Sequence, residues 1–444
     1  MGSSGSTSSS SPETPPQYRL QIPRSYKFLQ VLGEGGFGTV VKCAKRSTEE
    51  IVAIKIPKPY EDLHKEAFML RVLMDHNLDK FNIIKYDGKF SVNGQMGLVF
   101  EMLDISLQDY LMGLDDLMRL KDIRTVMQQL ATACEALDRV GVIHTDIKID
   151  NIMMVDHVRQ PFRVKLIDFG LAIFRFQAKR GSTHQPPEYR APEIMLGLPF
   201  SEAIDIWSLG CVMAIMVFGF MLFPTRIEYD ALRFITDLLG PPPQHLIKTG
   251  LKSNLFFKKT GSDLWILKTP MEYCGPTISS RDNRSYTFRS LDEVKMMRLE
   301  WDNVTEADER RECIELLKAM LKWDGKERIT PSGILNHPFI TRSYLNRSFH
   351  LSSCTSEALP SGVFVVQDAA AMNRIHLDET PDEVSSHGAA APASTVDTTR
   401  IHLNNTECPP TTTPGERGPS QLVSELLRCC TLLLYSEVEV FHVL

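Results

Sequence analysis

The 444-residue chain has no apolar run long enough to cross a bilayer, so no membrane span is expected. Its polar start, Met1 to Pro16, lacks the charged-then-apolar layout of a signal peptide. The nine cysteines have no metal-ligand spacing, and their odd number suits reduced thiols better than a disulfide framework. A net charge of −6 gives no electrostatic case for nucleic acid or a membrane surface as the main partner. There is no internal repeat, and no basic cluster of the nuclear-import kind. These absences leave a soluble intracellular protein, whose 43% apolar residues suffice for a sizeable core. Gly2 and Ser6 fit the myristoylation pattern Met-Gly-x-x-x-Ser, but the motif is short and a disordered Ser/Gly tail is the favoured reading.

Residues 1–25 are rich in Ser, Gly and Pro and are expected to be a disordered tail. From Tyr26 the texture changes. Phe28 to Leu32, Thr39 to Ala44 and Ile51 to Ile56 predict three antiparallel strands, and Pro57 and Pro59 end the third. Glu61 to Met74 has a helical period, and strands follow near Ile83 to Phe90 and Met96 to Glu101. A small lobe over 26–103 is the result: five antiparallel strands and one helix. Beyond it, 104–340 reads as a larger, mainly helical lobe, with an amphipathic helix over Val126 to Val140. Ala203 to Gly219 is nearly all apolar and is expected to be buried on every side. Leu232 to Leu239 and Glu309 to Leu321 predict further helices, with a polar, loop-rich insert over about 240–305 between them. Residues 341–444 form a low-complexity tail that turns apolar again at Leu422 to Leu444. The fold class is α+β, in two lobes.

Gly33-Glu34-Gly35-Gly36-Phe37-Gly38-Thr39-Val40 joins the first two strands. Such glycines let a backbone approach phosphates without a Cβ in the way, though a plain hairpin turn explains the run nearly as well. Lys55 follows Gly38 by seventeen residues, inside the apolar strand Val52-Ala53-Ile54-Lys55. A buried ammonium needs a carboxylate. Glu66 lies beside the apolar stripe of the next helix and is preferred over Glu61. Farther on, His144-Thr145-Asp146-Ile147-Lys148 runs into Asn151, and Val164 to Ile167 into Asp168-Phe169-Gly170. Each of these polar residues alone could be a cap or a surface group. In this order and spacing, flanked by buried aliphatic runs, they have no comparable structural explanation.

The pattern His-x-Asp-x-Lys-x-x-Asn followed by Asp-Phe-Gly resembles the catalytic core of the eukaryotic protein kinases over about Tyr26 to Phe339. That resemblance implies the bilobal kinase fold and transfer of the terminal phosphoryl group of ATP to protein substrates. It also implies the roles. The glycine loop and Lys55 hold the phosphates, Val40 and Ala53 cover the base, and Phe100 is a bulky gatekeeper. Backbone groups of Glu101 and Leu103 bond the adenine edge, Asp146 and Lys148 are catalytic, and Asn151 and Asp168 hold Mg²⁺ through oxygen. Arg190-Ala191-Pro192-Glu193 closes an activation segment, Glu193 is expected to pair with Arg328, and Asp205 to cap its helix and tie the catalytic loop.

Leu-Val-Phe-Glu-Met-Leu at 98–103, Gly-Pro-Pro-Pro-Gln-His-Leu at 240–246 and Arg-Ile-Thr-Pro-Ser-Gly-Ile-Leu at 328–335 narrow the likeness to the homeodomain-interacting protein kinases. That family is nuclear, acts on Ser/Thr of transcriptional regulators, and autophosphorylates an activation-segment tyrosine. No tyrosine lies between Asp168 and Glu188 here; Ser182, Thr183 and His184 occupy its neighbourhood. Pro187 replaces an arginine that engages the phosphotyrosine, so a preference for proline after the target is not carried over. Thr145 stands where many kinases have an arginine, which excludes phosphate-driven ordering at that position. The rival expectation is a scaffold that competes with related kinases for partners.

Overall fold

In the computed structural model, which describes residues 20–36, 38–59, 61–275, 282, 284–294 and 305–345, the first strands form where branched aliphatic residues run between glycine and polar turns. They are β1 (Tyr26–Glu34), β2 (Gly38–Lys45) and β3 (Ile51–Pro57), followed by α1 (His64–Asp75), β4 (Tyr86–Val92) and β5 (Gln95–Glu101). All neighbours pair antiparallel, in the order β1-β2-β3-β5-β4. The register puts Val40 beside Lys55 and Ala53 beside Phe100. Val41, Cys43, Val52, Ile54, Ile56 and Val99 form one buried cluster, and Leu20 and Ile22 pack against it. Packing therefore begins before residue 25, because two apolar side chains in the proline-containing lead-in find cover on the sheet. Helix α1 starts at His64 rather than Glu61: the Asp62 carboxylate accepts the His64 N–H at 2.9 Å and keeps the preceding residues in a turn.

The second lobe opens with α2 (Leu107–Met112) and α3 (Leu120–Arg139). Helix α3 begins six residues before the expected Val126, since Leu120 and Ile123 extend its buried stripe through a polar-looking first turn. Then come β6 (Val142–Ile143), β7 (Ile152–Asp156), β8 (Gln160–Leu166), β9 (Ile173–Phe174), α4 (Pro192–Leu196) and α5 (Ala203–Phe218). Every residue of α5 from Ile204 onward is buried, as its apolar sequence requires. Gly219 ends it in the left-handed conformation that glycine adopts cheaply.

After α6 (Glu228–Leu239) the expected loop-rich insert proves to be built from short pieces. These are α7 (Gln244–Thr249), α8 (Ser253–Phe256), β10 (Phe257–Lys259), β11 (Trp265–Leu267), α9 (Pro270–Cys274) and α10 (Leu291–Val294). Elements of three to six residues are too short to show a period in sequence. Aromatic contacts fasten them: Tyr229 stacks on Tyr273 at 4.3 Å, and Phe220 on Tyr286 at 5.4 Å. The lobe closes with α11 (Glu306–Met320), α12 (Pro331–Asn336) and α13 (Pro338–Thr341). Tyr344, placed in the expected tail, is buried with its hydroxyl 3.1 Å from Arg124 Nη2, so packing runs past residue 340. No helix among the described residues is long and apolar enough to cross a membrane. Phe37, Gly2 and Ser6, and the Leu422 to Leu444 segment lie outside the described residues.

Two strips of backbone join the lobes. One is the continuous chain after β5, where Asp104 N donates to Met154 O at 2.9 Å and Met154 N to Ile105 O at 2.8 Å. The other is a parallel bridge of Ile83 with Leu166, in which Ile84 N donates to Leu166 O and Leu166 N to Asn82 O.

Candidate active site

Strand β3 brings Lys55 and helix α1 brings Glu66 to the floor of the cleft between the lobes. Lys55 Nζ lies 2.9 and 2.8 Å from the two Glu66 oxygens, and 3.0 Å from Asp168 Oδ1. The third bond was not foreseen. Burial is the largest influence on all three groups. It depresses Lys55, but the two carboxylates outweigh it and leave the ammonium above its ordinary value. Glu66 is raised by burial, with Lys55 opposing and Asp168 adding to it. For Asp168 the pull of Lys55 and the N–H of Gly170 overcome burial, so it is held below the usual carboxylate range. The cluster is one cation between two carboxylates, with Asp168 in a left-handed conformation at φ 60°.

The loop of Asp146 is clamped from below. Asp205 in the first turn of α5 accepts His144 N at 2.7 Å and Thr145 N at 2.9 Å. It ties the loop as expected but does not cap its helix, whose N-cap is Glu202. Burial pushes the Asp205 carboxyl up to about 7, against the pull of those two N–H groups. Above it, Asp146 Oδ2 accepts Lys148 Nζ at 2.9 Å and Asn151 Nδ2 at 2.8 Å. Its other oxygen, Oδ1, is buried and has no hydrogen-bond partner among the described residues. Asn151 O accepts the Ile167 N–H at 2.9 Å, which places this loop directly beside Asp168.

A cleft of about 430 Å³ opens over Lys55, Glu66 and Asp168. Gly33, Val40, Ala53, Phe100, Glu101 and Leu103 are in its wall, all foreseen; Leu32, Ile84, Met153 and Ile167 are among the others and were not. Met153 could have been found, since it alternates with Ile152 and Met154 on the strand that starts at Ile152, just after Asn151. Glu34, Gly35, Gly36 and Gly38 make the β1–β2 turn itself, closed by Gly35 N donating to Gly38 O at 2.8 Å. Only glycine fits at 38, because a Cβ would stand 2.2 Å from Ile56 O.

The segment from Asp168 to Glu193 is held along its length. Thr145 Oγ1 donates to Leu171 O at 2.8 Å, and Arg175 Nε to Glu202 at 2.9 Å. Ser182 Oγ donates to Lys179 O at 2.7 Å and lies 2.9 Å from His184 Nε2. Gln185, missed in the sequence, is the main staple. Its buried amide donates to Ile204 O and to Ser208 Oγ, both at 2.8 Å, and accepts Ala191 N at 3.0 Å. Its own carbonyl, turned by a φ of 63°, accepts Arg190 Nη2 at 2.6 Å, and Arg190 also meets Glu228. Glu193 and Arg328 pair through two bonds of 2.8 and 3.0 Å, both side chains buried.

The protein kinase domain family matches residues 26–340. Homeodomain-interacting protein kinase 1 of Mus musculus is 41% identical over 382 residues, 82% of this chain and 31% of the relative. Homeodomain-interacting protein kinase 2 of Mesocricetus auratus is 43% identical over 350 residues, 75% and 30% of the two chains. Homeodomain-interacting protein kinase 4 of Homo sapiens is 37% identical over 347 residues, 73% and 56%. The chain thus spans a little under a third of the length of the first two. With most of its residues inside the family match, and a two-lobed fold enclosing this cleft, the chain belongs to the protein kinase family.

Proposed function

We propose that this protein transfers the γ-phosphoryl group of Mg²⁺-ATP to serine or threonine hydroxyls of other proteins. The observation that carries the reading is Asp146. One carboxylate oxygen is fixed by Lys148 and Asn151, and the other is buried and unpartnered, waiting for a donor. A substrate hydroxyl is such a donor: Asp146 Oδ1 accepts its hydrogen bond, orients the oxygen and takes the proton as transfer proceeds. Lys148, 2.9 Å from Asp146, then faces the charge on the moving phosphoryl group. Lys55 meets the phosphates of the nucleotide, and Glu66 keeps it from collapsing fully onto Asp168. The apolar wall of Val40, Ala53, Phe100 and Met153 suits a purine, whose edge the backbone of Glu101 and Leu103 would bond.

The donor set fits a hard cation. Asp168 offers a carboxylate kept ionised by Lys55, and Asn151 an amide oxygen, its nitrogen being engaged with Asp146. Mg²⁺ bound there would neutralise phosphate oxygens and align the terminal phosphate. Among the described residues no cluster of three or more His, Cys, Asp or Glu side chains could hold a metal alone, which suits an ion that relies on phosphate for its remaining ligands. Substrates among transcriptional regulators, and a nuclear site of action, are carried over from the homeodomain-interacting relatives. The Gln185 carbonyl, spent on Arg190, is closed to a substrate N–H, which favours proline after the acceptor despite Pro187.

The test is ³²P incorporation from ATP into a generic basic protein, wild type beside Asp146→Asn. Incorporation by wild type, lower by about 10² to 10⁴-fold in the variant, is the expected result. Equal incorporation by both, or none by either, would defeat the reading.

A further inference from the structure

Beside the segment that follows Asp168 lies a second cavity, of about 450 Å³. Among the described residues it is lined by Lys179, Arg180, Gly181, Ser182, Leu251 and Lys252. Three of these carry positive charge and none is an acid. Several cations elsewhere in the domain meet carboxylates, as Lys55 meets Glu66, Lys165 Glu101, Arg190 Glu228 and Arg328 Glu193, while Lys268 meets the carbonyls of Asn254 and Leu255. In this cavity Arg180 and Lys252 meet neutral oxygens. Lys252 Nζ donates to Thr183 Oγ1 at 3.2 Å; Arg180 Nε donates to Gly197 O at 3.2 Å, and Nη2 to Thr249 O. The positive charge is therefore not cancelled where it sits. His184 registers that field: burial lowers its pKa most, and the charges of Arg190 and Lys252 push it the same way. Gly181 turns the chain over the cavity at φ +85°, with only 3.3 Å between a Cβ there and Leu251, and Ser182 braces the turn against Lys179 O and His184.

The complement of such a cavity is an anion. Its residues lead straight into Gln185 and Arg190, and the same segment is bonded to the loop of Asp146 through Thr145 and Leu171. A peptide with its hydroxyl at Asp146 that ran along that segment would bring a side chain to the cavity. We propose that Lys179, Arg180 and Lys252 read an anionic side chain of the protein substrate, a carboxylate or a phosphate monoester, a few residues from the acceptor hydroxyl. The inference rests on the kinase reading above and adds a substrate class to it: acidic or already phosphorylated sequences.

The test uses the full chain and a peptide series with one acceptor, in which a single position is alanine, aspartate or phosphoserine and is walked along both flanks. The readout is kcat/KM for the anionic peptide divided by that for its alanine twin. Exposed ion pairs are worth a factor of about two to five each, so the expected ratio is roughly three to ten at one favoured position, falling as salt is added. That ratio should drop toward one in the Lys179→Ala and Lys252→Ala variants and persist in Lys252→Arg. Phosphoserine ahead of aspartate would assign the cavity to phosphate; equal ratios would assign it to either anion. A flat ratio at every position overturns the inference and leaves the kinase reading standing, whereas no phosphorylation of any peptide overturns both. If Thr183→Ala and Lys252→Ala slow all peptides alike, the cavity serves the segment's own conformation and the inference fails.

Discussion

Two buried ion pairs sit in the two lobes and behave differently. Glu193 and Arg328 are sealed: their side chains are 6% and 0% exposed, two bonds join them, and the remaining guanidinium hydrogens go to the carbonyls of Lys322 and Ala203. Lys55 and Glu66 are joined as closely, but a second carboxylate, Asp168, shares the same ammonium and the cleft opens above them. The sealed pair satisfies itself. The open one carries a surplus negative charge facing a cavity, which is an arrangement that a cation and a phosphate would complete. A buried charge held for folding closes on itself, and one held for chemistry is left with a vacancy in its partners.

That contrast can be broken from either side. Arg328→Ala should have the largest effect on folding, because it strands the Glu193 carboxylate without water or partner. Loss of about 3–5 kcal/mol is expected in denaturant unfolding, and a loss below about 1 kcal/mol would show that the pair is not sealed. Lys55→Met should do the opposite. Phosphorylation should fall by about 10² to 10³-fold, while the melting temperature stays within a few degrees, since Glu66 and Asp168 can protonate or reach solvent through the cleft. Collapse of the fold in that variant would erase the distinction. The smallest effect belongs to an exposed control, Lys45 with Glu50 and Asp87, where Glu50 is 49% exposed. Lys45→Ala should cost under about 1 kcal/mol by the same unfolding measurement.

The small lobe was readable because its strands are branched-aliphatic runs cut by glycine and proline, and because Glu66 sits beside a helical stripe that has to face the sheet. The cleft residues Val40, Ala53, Phe100, Glu101 and Leu103 were legible through the kinase resemblance of the motifs around them. What escaped notice has no local signature. Asp168 reaching Lys55 spans 113 positions, and nothing near Gln185 announces that its amide will be buried against the side of α5. Of the two tasks expected of Asp205, the tie to the catalytic loop is present, through His144 and Thr145 about sixty residues earlier, and the cap is not. The insert failed for another reason. Its helices are one turn or so long, and their order comes from aromatic stacking such as Tyr229 on Tyr273 rather than from periodicity.

The two backbone strips between the lobes have a mechanical meaning. A domain hung on one strand of chain can swing or twist about it in any direction. Here the strand after β5 and the bridge of Ile83 with Leu166 act as two pins of one door. Attachments in two places define a line, about which the small lobe would rotate most easily. Lys55 and Glu66 travel with the door; Asp146, Asn151 and Asp168 stay on the frame. Opening the cleft about that line would carry Lys55 away from Asp168, and closing it would bring the ammonium back.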